Sequence, residues 1–361
     1  MNILFLSRLS NNNNCGPYYS VPRQVAAQRE YDNVFWLNVN SNYFEEWAKI
    51  GDVKTEKEYP SLHLKDLPEP FNHPDVVLVQ EQYNFFRMPL IRDIQKARIP
   101  YVVVPRCSLT YSAQQKKRLK KIVGNYLYFN RFLRKASGIQ YLTNQEKKES
   151  GEHWNSNGFV IPNGINIPNI KKGYNTGKIE CTFIGRIDFY HKGLDLLLNA
   201  IMQSVDIMSK ANMHLSIYGW GLPDDLEKLN VAIKKCNSIV EFRGPVHGNA
   251  KEKVLLESDV FFLTSRFEGM PMGLLEAMSY GIPVMITKGT NMKSIVKKYD
   301  CGWYSDSSET GIKKMIQAII CERESIPEKG ENGVRAAELF DWSNIAKKTH
   351  EELEKIVANC R

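Results

Sequence analysis

Short apolar runs separated by longer helix-like stretches repeat along the whole chain, and this alternation constrains the fold more than any other feature. In the first half the runs fall at 3–6, 34–39, 76–79, 101–104, 140–142 and 159–161. In the second they fall at 180–184, 214–218, 240–242, 260–263 and 284–286. Continuous apolar runs of strand length, alternating with helices, predict parallel sheets covered on both faces. Residues 20–30 read as one such helix, with Ser20 as N-cap and Pro22 in its first turn. Between the halves, Pro162-Asn-Gly-Ile-Asn-Ile-Pro-Asn169 and the polar stretch to Lys178 carry turn residues without apolar periodicity. At 361 residues the chain is too long for one ordinary core. The expectation is an α/β protein of two doubly wound domains, 1–168 and 169–335, followed by an amphipathic helix in 336–361. The gap between two such domains is the default place for an active site.

No apolar run approaches the roughly 18 residues of a membrane span. The start, Met-Asn-Ile-Leu-Phe-Leu-Ser7, has no basic n-region and reads as a first buried strand. Seven scattered cysteines without a Cys-x-x-Cys pair suit a reducing compartment, so a cytoplasmic protein is expected. The net charge of +8 has a local source in Lys116-Lys-Arg-Leu-Lys-Lys121. Tyr126, Tyr128, Phe129, Phe132 and Leu133 follow it, interleaved with Arg131 and Arg134. Such a patch, 116–134, suits peripheral contact with an anionic membrane; the plainer alternative is a solvated helix face with its apolar side in the core. No zinc-finger spacing or RNA-binding aromatic motif accompanies it, so nucleic acid is not the expected partner.

Chemistry concentrates in Phe267-Glu-Gly-Met-Pro-Met-Gly-Leu-Leu-Glu-Ala-Met-Ser-Tyr-Gly-Ile-Pro-Val284. The apolar run before it ends at a Gly- and Pro-rich turn, and a helix opens at about Met272. Glu268 therefore lies in the turn after a strand's carboxyl end, with Glu276 about one turn into the helix. At that edge of an open α/β sheet ligands bind, and free helix N–H groups point the same way. Two solvated helix-start carboxylates would be the bland account, but capping does not require this order of glycines and glutamates.

The pattern Glu-Gly-x-Pro-x-Gly-x-x-Glu-Ala-Met-x-x-Gly-x-Pro-Val resembles the signature of the retaining family-4 glycosyltransferases. That resemblance implies the GT-B fold, two Rossmann-like domains facing a central cleft, the first binding the acceptor and the second a nucleotide-sugar. The final helix would cross back to the first domain. Gly185-Arg-Ile-Asp-Phe-Tyr-His-Lys-Gly193 is similar to the family's diphosphate-gripping element, which assigns Arg186 and Lys192 to the leaving group. By the same resemblance Glu276 binds the ribose hydroxyls and Glu268 sits near the donor sugar. The backbone of Gly269, Met270, Pro271, Met272, Gly273 and Leu274 reaches the sugar and phosphates. Val246 lies beside the base, and Gly16 approaches the diphosphate from the first domain. Arg106, in Val104-Pro-Arg-Cys-Ser-Leu109, replaces the histidine many members carry, and either binds an acidic acceptor or caps a loop.

The implied activity is retaining transfer of a hexosyl or N-acetylhexosaminyl group from a UDP-sugar or similar donor to a glycan or lipid-linked saccharide, as in bacterial surface polysaccharide assembly. No Asp-x-Asp occurs, so neither a metal nor a further cofactor is expected. Two alternatives share the fold. A nucleotide-sugar 2-epimerase would want carboxylates and histidines for proton abstraction, which the Pro-Arg-Cys replacement disfavours. A non-catalytic GT-B subunit would show degenerate phosphate residues, whereas Arg186, Lys192, Glu268 and Glu276 are all present.

Overall fold

The computed structural model describes residues 1–10, 16–43, 45–83, 85, 88–115, 117–170, 172–174, 177–236 and 238–360. Asn11–Asn14, Cys15 and Lys116 lie outside the described residues. The chain divides into two compact units, one of Met1–Gly164 with Trp342–Arg361 and one of Ile165–Asp341.

The first unit holds a seven-stranded sheet of β1 (Asn2–Ser7), β2 (Asn33–Asn38), β3 (Lys54–Thr55), β4 (Val76–Gln80), β5 (Tyr101–Val104), β6 (Gly138–Tyr141) and β7 (Gly158–Val160). Their order is 3-2-1-4-5-6-7, and every pairing is parallel. β1, β4 and β5 carry runs such as Val-Val-Leu-Val because both faces are covered, leaving no solvent side to require alternation. The second unit holds β8 (Ile179–Ile184), β9 (Met213–Tyr218), β10 (Val240–Gly244), β11 (Val260–Leu263), β12 (Val284–Thr287) and β13 (Gly302–Ser305). They lie in the order 10-9-8-11-12-13, again all parallel. In each sheet the order reverses beside the first strand, between β1 and β4 and between β8 and β11. Loops leaving the carboxyl ends of those neighbours diverge to opposite faces and open a crevice.

Two strands were not legible as apolar runs. β3 is only two residues long, and β13, Gly-Trp-Tyr-Ser, begins on glycine and mixes polar with aromatic residues. The first helix also differs from expectation. It runs Gly16–Gln28, so Ser20 is buried within it and is not its N-cap, and Pro22 lies in its interior.

The last helix, Trp342–Cys360, belongs to the first unit. Its Leu353, Ile356 and Val357 join Ile3, Phe5, Val25 and Trp36 in one apolar cluster. Its polar edge is tied as well. His350 Nδ1 lies 2.9 Å from Oδ1 of the fully buried Asp32 side chain, the same oxygen that takes the N-terminal ammonium at 2.9 Å.

Candidate functional site

Within the second unit, the crevice between β8 and β11 brings together segments 76 residues apart in sequence. After β8 the chain makes a tight turn, in which Lys192 N–H donates to Asp188 O at 3.0 Å and His191 N–H to Asp188 Oδ1 at 2.9 Å. The turn closes at Gly193, whose φ is +62°. A Cβ on Gly193 would stand 2.2 Å from Thr264 O, so a glycine is needed for the two loops to touch. Thr264 Oγ1 in turn donates to Lys192 O at 3.1 Å. Gly193→Ala is therefore expected to lower stability by at least about 2 kcal/mol, from left-handed strain and a backbone clash. A thermal melt of the purified variant checks it.

That backbone contact sets Lys192 Nζ 2.5 Å from Glu268 Oε1, with the two side chains only 15% and 10% exposed. Ser265 Oγ donates to the same carboxylate oxygen at 2.5 Å. The loop carrying Glu268 is held from three sides. Asn291 Nδ2 donates to Glu268 O at 2.7 Å, and Thr287 Oγ1 to Ser265 O at 2.8 Å. Arg266 forks onto Asp195 at 2.6 and 2.7 Å, a bidentate geometry that fixes orientation as well as charge.

Arg186 is more open. Its NH2 reaches Asp188 Oδ2 at 3.1 Å and His191 Nδ1 at 2.9 Å, with 44% of the side chain exposed. His191 stacks on Phe267 with ring centroids 4.2 Å apart and meets Phe267 O through Nε2 at 2.7 Å. A carbonyl only accepts, so Nε2 carries the hydrogen and Nδ1 accepts from Arg186. Burial pushes the His191 pKa down, in keeping with a neutral ring.

The helix Met272–Ser279 starts at the same crevice, and Pro271 is its N-cap. Its first N–H groups lack intrahelical partners, although Pro271 has none to offer and Leu274 N–H is already given to Pro271 O at 3.0 Å. Leu274 itself is fully buried, so only its backbone could meet a ligand. Glu276, on this helix, is in contact with Lys251 of the neighbouring helix Gly248–Glu257. Val246 lies half-buried in the loop between β10 and that helix. Among the described residues no three His, Cys, Asp or Glu side chains converge as metal ligands would.

Two sequence candidates belong to the first unit. Gly16 opens the helix Gly16–Gln28, the first helix after β1 in the chain. Arg106 follows β5 and is held inside its own unit. Its Nε donates to Gln80 Oε1 at 3.0 Å, and NH1 to Ser20 Oγ at 3.0 Å and Asn163 Oδ1 at 3.4 Å. Burial brings its pKa down to about 10. These contacts join it to β4, the first helix and the segment after β7, while its buried NH2 has no hydrogen-bond partner among the described residues.

The basic patch is helical over Arg118–Gly124 and Asn130–Lys135, with one π-helical turn at Asn125–Phe129 between them. Leu119 and Tyr126 are 81% and 83% exposed, and Ile122, Val123 and Leu127 are also exposed. Phe132 and Leu133 instead join the core of the first unit, which removes them from the expected surface. Beneath lies a groove of about 490 Å³ that includes Leu109, Tyr111, Ile122, Tyr126 and Trp154, with Arg118 and Lys121 among its lining.

Lys251, Ser265 and Asn291 were missed by sequence reasoning. Nothing local distinguishes Lys251 from its neighbours in Asn249-Ala-Lys-Glu-Lys253; only the folded contact with Glu276 singles it out.

Comparison with known proteins follows the same lines. Residues 178–321 match the family model described as glycosyl transferases group 1. An uncharacterized glycosyltransferase of Methanocaldococcus jannaschii is 30% identical over 172 residues, 46% of this chain and 42% of that protein. The chain spans about half or less of the length of the curated relatives it matches. Among solved structures, Anabaena HepE in complex with UDP aligns at a TM-score of 0.77 and 18% identity, covering 98% of this chain and 100% of that one. The lipopolysaccharide outer core galactosyltransferase WaaB, in its apo form, aligns at 0.71 and 17%, covering 98% and 99%. Such distant likeness speaks to fold alone, and it agrees with the two doubly wound sheets. Residues 178–321 thus resemble the glycosyl transferases group 1 family, and the fold of the chain is GT-B.

Proposed function

We propose that the chain is a retaining glycosyltransferase that moves a sugar from a nucleotide-sugar, a UDP-sugar in the first instance, to a saccharide acceptor. The observation that carries this reading is the Lys192–Glu268 pair at the β8–β11 crevice, beside the open N-terminus of Met272–Ser279. When a glycosyl group leaves a nucleoside diphosphate, negative charge grows on the bridging phosphate oxygen. Fixed cations and helix N–H groups stabilise it without reorganising. In this reading Lys192 gives its charge to the phosphate as Glu268 turns to the sugar hydroxyls, and Arg186 adds a two-pronged contact from its more open position. Glycine at two positions supports the same view. A Cβ at Gly273 would meet its surroundings at 3.5 Å, an ordinary contact, and one at Gly16 would meet nothing within 4 Å. The protein's own packing does not demand glycine there, whereas close approach of a ligand would.

The UDP assignment draws on the HepE complex, and a lipid-linked saccharide acceptor on WaaB together with the exposed apolar and basic surface at 117–131. That surface suits an enzyme working against an anionic bilayer, and no described helix is long and apolar enough to cross one. A panel of UDP-, GDP- and ADP-sugars tests the reading: one donor should stabilise the protein thermally and be slowly hydrolysed. Failure of every donor would reject it. Because lysine, arginine and helix N–H groups take the place of a metal clamp, turnover should be unchanged in excess chelator. Strict dependence on added magnesium or manganese would contradict that.

A further inference from the structure

We propose that Lys251 is a ribose-recognition residue, making the donor site read the 2′-hydroxyl through a lysine–glutamate pair and not through Glu276 alone. This rests on the reading of Glu276 as the ribose carboxylate. Lys251 stands in the first turn of Gly248–Glu257, directly after the loop that carries Val246. Its Nζ contacts Glu276 Oε2, and the side chains are 24% and 19% exposed, so the pair is largely withdrawn from water.

The chemistry of a ribose explains what the pair can do that a carboxylate cannot. The 2′,3′-diol has two O–H donors and also two oxygens able to accept. A carboxylate meets only the donors. An ammonium bound to one carboxylate oxygen has two further N–H groups, which can approach the hydroxyl oxygens from the same edge. Each hydroxyl can then donate to Glu276 and accept from Lys251, and the lysine holds the carboxylate in one orientation before the nucleotide arrives. Removing the 2′-hydroxyl empties half of this arrangement.

The competing account is an ordinary ion pair joining two helices, which in partly exposed settings contributes little. Calorimetry separates the two. The ligands are whichever of UDP, GDP and ADP binds the native chain best, its 2′-deoxy form, and inorganic pyrophosphate, which has no ribose. The native chain is expected to prefer the ribonucleotide by about 10- to 100-fold, the range for hydrogen bonds to charged groups. Lys251→Met, which leaves the ribose its bonds to Glu276, should lower that preference about three- to tenfold while leaving pyrophosphate affinity unchanged. Lys251→Arg should keep most of the preference, and guards against a Met variant that folds poorly. If Lys251→Met retains the native preference, or weakens pyrophosphate as much as the nucleotide, Lys251 does not read the ribose. If none of the three nucleoside diphosphates binds the native chain, the donor-site reading itself falls.

Discussion

An alanine at Lys192 is expected to reduce turnover by about 10²–10³, the usual loss when one preorganised charge-stabilising group is removed. The effect should appear in kcat more than in KM, because charge on the leaving phosphate is greatest in the transition state. Part of any loss could come from the fold, since the substitution strips a nearly buried carboxylate of its cation. Glu268→Gln addresses this. Its amide oxygen can still accept from Lys192 and Ser265, so the loop should stay in place while the charge is lost. If the two residues act as a unit on the donor, the double variant should be scarcely slower than Lys192→Ala alone. Near-normal turnover in Lys192→Ala, with its melting temperature preserved, would remove Lys192 from the phosphate site.

What the sequence made legible follows from which forces act locally. Both parallel sheets could be anticipated because strands buried on two faces write themselves as apolar runs, as Val76–Gln80 does. The order of residues from Glu268 to Glu276 could be placed at a strand end because the apolar strand, the glycine turn and the helix lie next to one another in the chain. Contacts across the fold leave no such trace. Lys251 meets Glu276 only because two helices come together. Arg106 is bound by Gln80, Ser20 and Asn163, residues 26, 86 and 57 positions away. The run from Tyr126 to Leu133 is divided between surface and core. A π-helical turn at Asn125–Phe129 resets the helical phase, so Tyr126 faces solvent while Phe132 and Leu133 turn into the core.

That division of the helical segment sharpens the expected behaviour at membranes. Leu119, Ile122, Val123, Tyr126 and Leu127 are exposed, and Lys117, Arg118, Lys120 and Arg131 are exposed with them. Apolar side chains at the surface, framed by cations, suit shallow seating at the headgroup boundary of an anionic bilayer. Each basic residue close to such a surface adds about 1 kcal/mol of attraction. Replacing Lys117, Arg118 and Lys120 with glutamine should therefore weaken binding to anionic vesicles by about a hundredfold. Raising the salt should have the same sense of effect on the native protein, since exposed charges are screened beyond about 8–10 Å. Tyr126→Ser with Leu119→Ser should weaken binding while leaving its salt dependence intact, because the apolar contribution is not screened. Co-sedimentation with anionic and neutral vesicles at low and high salt measures all three. Equal failure to bind either vesicle type, or native-like binding by the triple glutamine variant, would make this surface an ordinary solvated face and turn the search for an acceptor toward soluble saccharides.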